Sequence, residues 1–387
     1  MLHSYYADLH IHVGRNIQGG PVKITASDQL TITNLLEEAS QRKGIDIVGV
    51  IDCHAPLVLQ EIKQLIADGK AYEKSHGGIQ FKDTTLLLGS EIEIYDQHCH
   101  GPIHVLCFFP YIQTMQRFSG WLSQHMKNVE LSSQRYYGSA LSLQEQVKQL
   151  DGLFIPAHIF TPFKSLYGKG VNRSLTEVFH PALIDAVELG LSADTSMADH
   201  LQELANYSFL TNSDAHSLGK IAREYQQLIL HEASFLALKQ ALQQQSGCRI
   251  ATNFGMNPRL GKYYTTVCAK CLAPFKADKC KECSSSKFIR GVKERVEELT
   301  DTFQINTNRP DYFYQAPLEY LPGLGTKTLD QLLVHFGTEM NIIHHVPIKQ
   351  LGEVIPDKLV QLIIALRQGK LSIQAGGGGR YGKVVFE

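Results

Sequence analysis

The sequence predicts an α/β protein, in which a barrel of about seven strand-helix units precedes a small metal-binding module and a helical segment. Three observations lead to this prediction. Strand-like and helix-like stretches alternate through the first 254 residues, histidines and carboxylates recur where the strands end, and four cysteines stand later in two C-x-x-C pairs. We therefore expect three domains, at residues 1–254, 255–292 and 293–387.

Composition is that of an ordinary globular chain, with 43% hydrophobic and 19% charged residues. It contains no run of about 18 apolar residues and no basic region followed by an apolar stretch, so we expect a cytoplasmic protein without membrane span or signal peptide. Residues 1–254 hold 19 Lys and Arg against 25 Asp and Glu, whereas residues 255–387 hold 18 against 13. An acidic, histidine-rich part suits divalent metal and a basic part suits a polyanion, although a merely solvated surface explains the charge equally well.

The predicted strands are seven short apolar runs. They cover residues 5–10, 46–52, 85–94, 102–109, 152–158, 185–190 and 209–216. Helix-like stretches between them include residues 31–43, 57–68, 141–150 and 198–206. This alternation favours a parallel sheet closed by crossover helices, and about seven units favour a barrel, in which chemistry is carried at the carboxyl ends of the strands.

Six of these strands carry imidazole or carboxylate groups. In "YADLHIH", at residues 6–12, Asp8, His10 and His12 share one face because side chains alternate along a strand. The comparable groups on the later strands are Asp52, His54, Glu91, His104, His158, Asp214 and His216. All but His104 lie near a carboxyl end, where core histidines have no reason to recur. We interpret the set as a metal site, with Asp214, Glu91, Asp8 and Asp52 as candidate catalytic carboxylates.

The segments "DLHIH", "DCH", "GSE", "IHVL", "PAH" and "NSDAH" resemble, in the same order, the motifs of the polymerase and histidinol phosphatase (PHP) superfamily. This resemblance implies a distorted seven-stranded β/α barrel that binds two or three metal ions. The matching motifs imply three sets of ligands: His10, His12, Glu91 and Asp214 for one ion, Glu91, His104 and His158 for a second, and His54 and His216 for a third. Members of the superfamily often carry another histidine after the first motif, and residues 13–53 hold none. The third site therefore departs from the pattern.

Imidazole and carboxylate ligands suit Zn²⁺, Mn²⁺ or Fe²⁺ better than Mg²⁺. Neighbouring metal ions lower the pKa of a bridging water, which yields hydroxide, and neutralise phosphate charge. We therefore expect two or three divalent cations in the barrel and hydrolysis of a phosphate ester.

The second metal-binding feature is "VCAKCLAPFKADKCKEC". Two C-x-x-C turns, formed by Cys268, Cys271, Cys280 and Cys283, can complete a tetrahedral site with no open position. We expect one structural Zn²⁺ there, the alternative being redox-active or free thiols.

The last hundred residues carry two features that suit DNA. "LPGLGTKTLDQLL", at residues 321–333, has the form of a helix-hairpin-helix motif, in which Gly323 and Gly325 make a turn facing a phosphate and Lys327 adds charge. An ordinary helix connector is the alternative. The glycine-rich tail at residues 375–387 carries Arg380 and Tyr381, which can bind phosphate or stack on a base, unless the terminus is disordered.

Barrel, four-cysteine module and helix-hairpin-helix, in that order, resemble the endonuclease Q family over essentially the whole chain. The resemblance implies a DNA repair endonuclease that cuts on the 5′ side of a deaminated base (uracil, hypoxanthine or xanthine) or an abasic site, leaving a 3′-hydroxyl and a 5′-phosphate. The expected partners are damaged double- or single-stranded DNA, and a sliding clamp or other repair proteins, with a cytoplasmic location at the nucleoid. No membrane partner is expected.

A stacked nucleotide cannot reach a recessed metal site, so we expect base flipping. Candidate pocket residues follow His158 in the chain: Phe160, Phe163, Lys164, Tyr167, Lys169, Asn172 and Arg173. A plain barrel loop explains that stretch nearly as well. Two other functions remain open, a PHP phosphatase for a small phosphomonoester and a non-catalytic DNA-binding scaffold. The first leaves the cysteines and the hairpin unexplained, and the second has no need of so many metal ligands.

Overall fold

The structure, a computed structural model, describes residues 1–304, 306–376 and 380–385. The strands up to residue 255 are β1 (His3–Ile11), β2 (Ile47–Val50), β3 (Ala71–Glu73), β4 (Ile79–Phe81), β5 (Thr84–Ile94), β6 (Ile103–Phe109), β7 (Arg135–Tyr136), β8 (Leu153–Pro156), β9 (Ala186–Glu188), β10 (Ser208–Leu210), β11 (Tyr225–Leu230) and β12 (Arg249–Gly255). The α-helices of this part are α1 (Ile32–Glu37), α2 (Pro56–Ala67), α3 (Ile112–Leu122), α4 (Ala140–Gln149), α5 (Thr195–Ala198) and α6 (Phe235–Leu242).

The elements beyond residue 255 are β13 (Val267–Cys268), β14 (Phe288–Ile289), α7 (Val292–Leu299), β15 (Asp311–Tyr314), α8 (Thr326–Phe336), α9 (Glu339–His344), α10 (Ile348–Val354), α11 (Asp357–Arg367), β16 (Ile373–Gln374) and β17 (Lys383–Val384). Two π-helical turns cover Glu38–Lys43 and Leu166–Gly170. Short 3-10 turns cover Leu175–Glu177, Pro181–Leu183, Gln202–Leu204, Leu218–Lys220, Pro258–Leu260 and Leu318–Tyr320. Within the described ranges, no helix has both the length and the apolar character needed to cross a membrane.

Seven strands form the predicted barrel, in the order β1, β2, β5, β6, β8, β9 and β10. Ladder hydrogen bonds join β1 to β2, β2 to β5, β5 to β6, β6 to β8, and β9 to β10. Backbone hydrogen bonds at or just beyond the strand ends close the two remaining gaps. Asp185 N donates to Phe154 O at 3.0 Å and Ile159 N to Glu188 O at 2.9 Å, while Ala215 N donates to His10 O and His12 N to Ala215 O, both at 3.1 Å. The apolar side chains of β1, Ala7, Leu9 and Ile11, are fully buried, as the alternation predicted.

The prediction of a parallel sheet is wrong for β6, which runs antiparallel to both β5 and β8. Only residues 95–102 link β5 to β6. A parallel connection needs a dozen or more residues, so this link can only turn back. The reversal brings the start of β6 to the same end of the barrel as the carboxyl end of β5. His104, which begins its strand, thereby joins the other histidines.

The predicted helix at residues 198–206 is also wrong. The chain there forms α5, a break, and the short 3-10 turn Gln202–Leu204. Contacts from a distant segment replace the helical hydrogen bonds: Asp301 accepts from the backbone N–H of Gln202 at 2.8 Å, and the Arg309 guanidinium binds the Asp199 carboxylate at 2.9 Å. Tertiary contacts here outweigh local helix propensity.

The carboxyl-terminal helices pack on the barrel through shared structure. β15 pairs in parallel with β12 and so extends the barrel sheet beyond β11. The buried Lys43 ammonium binds the Glu339 carboxylate at 2.9 Å, and Tyr225 Oη lies 2.7 Å from His344 Nε2. The boundary that we predict between residues 254 and 255 falls within β12. The second and third predicted domains therefore pack as extensions of the barrel.

The described part of the predicted tail also packs on the protein. The N–H of Gly376 donates to Arg259 O at 2.7 Å, and that of Gly382 donates to Leu260 O at 2.9 Å. Residues 377–379 and 386–387 of the tail lie outside the described residues.

Candidate metal centre

The first strand provides two imidazoles that point into the barrel. His10 and His12 are fully buried, and the Nε2 atoms of both lie near Asp214 Oδ1, at 3.4 and 3.5 Å. Each ring is held from behind: His10 Nδ1 lies 2.9 Å from Glu188 Oε1, and His12 Nδ1 lies 3.1 Å from Asp52 Oδ2. A carboxylate on one ring nitrogen fixes the other nitrogen toward a metal ion.

Two of the predicted catalytic carboxylates, Asp8 and Asp52, accept hydrogen bonds from the backbone and do not point into the centre. Asp8 accepts hydrogen bonds from the N–H groups of Ser213 and Ala222, at 3.0 and 2.9 Å. Asp52 accepts from Val13 N at 2.7 Å in addition to its contact with His12. These bonds position the loops that carry the inward-facing groups, so both carboxylates support the ligands, which is the role that we expect for them beside the metal site.

Glu91 connects the first group of residues to a second. Its Oε1 lies 3.5 Å from His10 Nε2, 2.8 Å from His104 Nδ1 and 3.5 Å from His158 Nε2. Potential ligand atoms of His10, His12 and Asp214 lie within 4.8 Å of one another, and so do those of Glu91, His104 and His158. The second group is the set that the PHP resemblance implied, and the first is the implied set without Glu91.

The third predicted pair, His54 and His216, lies outside both of these ligand groups. His54 is fully buried, its Nδ1 lies 2.8 Å from Ser90 Oγ, and its Nε2 lies 3.4 Å from Leu131 O. Both ring nitrogens of His54 thus have polar neighbours, and His216 Nδ1 lies 3.0 Å from Asp214 O. A third ion bound by His54 and His216 therefore stays a prediction of the resemblance.

The centre fits metal ions on two observations. The buried Nε2 atoms of His10, His12 and His104 have no hydrogen-bond partner among the described residues. Leaving a buried polar atom without a partner costs about 1–3 kcal/mol, and metal ligation removes that cost. The ligands are imidazole and carboxylate, which suit Zn²⁺, Mn²⁺ and Fe²⁺.

Electrostatics keeps the ligand carboxylates ionised. Burial acts to raise the pKa of Glu91, but His104 and Lys23 hold that pKa well below its ordinary value. Burial also acts to raise the pKa of Asp214, whose side chain is one-third exposed. His10 and His12 nevertheless hold that pKa well below its ordinary value. By contrast, burial raises the pKa of Asp8 to about 6. Glu91 and Asp214 are therefore charged at neutral pH, as metal ligation requires.

Two of these residues have strained backbones. His158 and Asp214 adopt positive φ angles of 31° and 48°. Residues other than glycine reach this region at a cost of about 1–3 kcal/mol, and such strain concentrates at functional sites. Gly190 leaves room for the strained turn, because a Cβ there would lie 2.9 Å from His158 Cβ.

Several residues of the centre were not anticipated. Glu188, at the end of β9, is buried behind His10 and also accepts a hydrogen bond from Asn212 Nδ2 at 2.7 Å. Ser133 Oγ donates to Glu91, and Ser132 Oγ lies 3.1 Å from His12 Nδ1. Glu188 follows the strand-end rule and could have been found by it. The serines lie in a loop and carry no periodic signal.

A cavity of about 590 Å³ opens above the centre. Its wall includes Phe163 and Tyr381, two residues predicted to contact DNA. Phe160 and Tyr167 instead stack on each other in the core, with ring centroids 5.4 Å apart. Their expected role in a base pocket is therefore wrong.

The remaining polar candidates for the base pocket lie outside the cavity wall. Lys169, Asn172 and Arg173 are exposed. Lys164 lines the cavity, but its ammonium is bound to Glu93 at 2.9 Å.

The four cysteines converge as their spacing predicted. The Sγ atoms of Cys268 and Cys283 are 3.5 Å apart, those of Cys271 and Cys280 are 3.4 Å apart, and all four lie within 4.8 Å of one another. A tetrahedral Zn²⁺ with bonds of about 2.3 Å separates its sulfur ligands by about 3.8 Å. The cluster therefore fits one such ion.

The glycine turn at residues 321–325 leads directly into α8. Gly323 has a φ of 85°, a conformation that glycine adopts without strain, and Gly325 is the N-cap of the helix. Gly325 and Lys327 are exposed, so the first N–H groups of α8 and the Lys327 ammonium face solvent. Tyr381 lies elsewhere, at the barrel cavity, with its ring 6.0 Å from the Arg223 guanidinium.

Two known proteins are similar in sequence to this chain. The chain is 53% identical over 381 residues to the uncharacterized protein YqxK of Bacillus subtilis, with 98% of each chain covered. It is 36% identical over 255 residues to the uncharacterized protein MJ0043 of Methanocaldococcus jannaschii, covering 59% of this chain and 31% of that protein. No protein-family model matches it.

Among solved structures, the chain is similar to the lesion-specific endonuclease PfuEndoQ of Pyrococcus furiosus. The TM-score is 0.85 at 29% identity, and 99% of this chain and 95% of that chain are covered. It is equally similar, at a TM-score of 0.85 and 29% identity, to endonuclease Q in complex with a 27-mer duplex that carries an abasic lesion at the active site. That match covers 100% of this chain and 97% of the other.

Fold and site together define a metal-dependent nuclease. The similarity extends from the barrel through the cysteine cluster to the carboxyl-terminal helices. The chain belongs to one family with YqxK, and over its full length its structure is similar to that of endonuclease Q.

Proposed function

We propose that this protein is a DNA repair endonuclease that cuts a duplex on the 5′ side of an abasic site or a deaminated base, leaving a 3′-hydroxyl and a 5′-phosphate. The observation that carries the proposal is the pair of buried ligand groups at the floor of the cavity, in a chain similar along its length to endonuclease Q bound to an abasic duplex.

Metal ions are best held by His10, His12 and Asp214 on one side and by His104 and His158 on the other, with Glu91 between the two groups. Divalent ions at such a site neutralise phosphate charge and lower the pKa of a coordinated water. Zn²⁺, Mn²⁺ or Fe²⁺ fits the imidazoles.

The other residues position these ligands. Glu188 and Asp52 fix the ring orientation of His10 and His12. Ser133 donates a hydrogen bond to Glu91. Because the orienting groups are themselves buried, the ligands need little rearrangement when the substrate binds.

A nucleotide reaches the floor of the cavity only when it leaves the helix stack, so we propose base flipping. The cavity volume of about 590 Å³ lies within the range of sites that enclose small organic ligands, about 300–1,000 Å³. Phe163, Tyr263 and Tyr381 offer aromatic surfaces along its wall, and Arg223 and Lys262 offer positive charge. We propose that these residues hold the extruded nucleotide and its phosphates.

Affinity for the duplex would come from sites outside the cavity. The glycine turn before α8 presents N–H groups at a helix start, and Lys327 adds charge beside them, which suits a phosphate and reads no sequence. The four-thiol cluster, with Zn²⁺ bound, would hold the intervening module together.

The test is incubation with Mn²⁺ or Zn²⁺ and labelled duplexes that carry one abasic site, one deoxyuridine or no lesion. We expect a single nick 5′ of the lesion, with a 3′ end that a polymerase extends. Asp214→Asn should reduce the cleavage rate at least about 1,000-fold and leave DNA affinity within about twofold, since a metal ligand is lost far from α8. Release of phosphate from small esters alone would favour a phosphatase, and binding without nicking would favour a scaffold.

A further inference from the structure

A lysine reaches the metal centre from the loop after β1. Lys23 Nζ lies 3.2 Å from Glu91 Oε2 and 2.6 Å from Ser133 Oγ. The loop holds the residue in place, since the backbone N–H of Lys23 donates to Val13 O at 2.9 Å. The side chain is only 15% exposed, and it lines the cavity. Its ammonium thus sits between a ligand carboxylate and the space open to substrate.

The position of Lys23 matters because the third metal site of the PHP pattern is incomplete here. Residues 13–53 contain no histidine, and both ring nitrogens of His54 have other neighbours, Ser90 Oγ and Leu131 O. In the described ranges the barrel contains two groups of converging ligands, His10, His12 and Asp214 in one and Glu91, His104 and His158 in the other. Lys23 and Ser133 both contact Glu91 Oε2, which also lies 3.7 Å from His12 Nε2. The Lys23 ammonium therefore already places a positive charge beside Glu91 Oε2.

The ammonium retains a donor for substrate. It has three N–H groups, and within the described part of the chain its hydrogen-bond partners are Glu91 and Ser133. The third N–H is free to point into the cavity. A fixed ammonium in an enclosed site stabilises an anionic phosphate more strongly than it would in water, because the local dielectric constant is low.

We propose that Lys23 replaces a third metal ion, so that the barrel binds two ions and the lysine ammonium contacts a non-bridging oxygen of the scissile phosphate. This inference rests on the proposed phosphodiesterase function. The Lys23 ammonium would repel a third divalent ion placed beside Glu91. The ammonium also supplies part of the positive charge that such an ion would have supplied.

The experiment compares wild type with Lys23→Met, which keeps an unbranched side chain one atom shorter and removes its charge, and with Lys23→Arg, which keeps the charge. Lys63→Met is the control, because Lys63 is exposed on α2. Each protein is loaded with Mn²⁺, and manganese and zinc per chain are measured by mass spectrometry. Single-turnover rates are measured on the abasic duplex and on bis-p-nitrophenyl phosphate.

We expect two barrel ions in wild type and in Lys23→Met, in addition to the ion at the cysteines. Lys23→Met should cut the duplex about 100-fold more slowly, Lys23→Arg should recover much of that loss, and the control should match wild type. Three barrel ions in wild type, or a Lys23→Met rate within threefold of wild type, would overturn the proposal. Loss of barrel ions from Lys23→Met would also overturn it, since the lysine would then act only on the ligands.

The two proposals fail separately. If wild type hydrolyses bis-p-nitrophenyl phosphate but does not nick damaged DNA, the repair function fails. The ion count and the effect of Lys23→Met on the small diester still decide the role of the lysine.

Discussion

Replacement of Glu188 by glutamine tests how the centre is held together. The Glu188 carboxylate accepts from three donors: His10 Nδ1 at 2.9 Å, Asn212 Nδ2 at 2.7 Å and the N–H of His158 at 2.8 Å. Asn212 cannot rotate to compensate, because its Oδ1 accepts from Leu9 N at 2.9 Å. Glutamine has one acceptor oxygen and one donor nitrogen, so in either orientation its amide group faces a donor.

The expected effect has two parts. One buried donor loses its acceptor, which costs about 1–3 kcal/mol in the free energy of unfolding. The ring of His10 also loses the negative charge behind it, and loss of such an orienting carboxylate reduces metal affinity about 10- to 100-fold. Cleavage at limiting metal should fall in the same proportion and recover partly at saturating metal.

Two measurements separate these effects. Urea denaturation of the metal-free protein gives the change in unfolding free energy, and competition with a chelator gives the change in metal affinity. Glu145→Gln on α4 is the control, because Glu145 is exposed. If Glu188→Gln binds metal as tightly as wild type, the carboxylate does not orient His10 and the reasoning is refuted.

Three further predictions concern other parts of the chain. Replacing Cys268 and Cys271 by serine should remove one zinc per chain and expose the module to protease; unchanged zinc content would contradict the assignment. Lys327→Ala should weaken binding to all duplexes alike and reduce the slope of log affinity against log salt by about 1, and an effect confined to damaged DNA would argue against a phosphate contact. Burial raises the pKa of Glu224 to about 8, so its neutral form stabilises the fold below pH 4.5 and that contribution is lost as the pH rises through 8. Glu224→Gln should therefore match wild type at pH 5 and exceed its unfolding free energy at pH 9 by a few kcal/mol, as urea titrations at both pH values would measure; equal stability at pH 9 would contradict a raised pKa.

The parts of the centre that could be predicted are those with a periodic or spaced signal. The period of two along β1 indicated that His10 and His12 share a face, and the recurrence of His and carboxylate at strand ends indicated that Glu91, His158 and Asp214 meet them. The paired C-x-x-C turns indicated the four-thiol cluster. Each of these signals follows from backbone geometry, which is local.

The parts that could not be predicted depend on contacts between distant segments. Lys23 and Ser133 reach Glu91 across 68 and 42 residues, from loops in which no period marks the side chain that turns inward. The direction of His54 depends on Ser90, a residue of another strand. The reversal of β6, by contrast, could have been inferred from the short link before it.

The pairing of β12 with β15 links the carboxyl-terminal helices to the barrel. Because β15 is hydrogen-bonded into the barrel sheet, the chain that leads to the glycine turn before α8 is anchored to the barrel. Under the proposed function, a duplex bound at that turn would therefore meet the barrel cavity at one fixed offset. The span of DNA protected on one side of the nick should therefore be constant from one sequence to another.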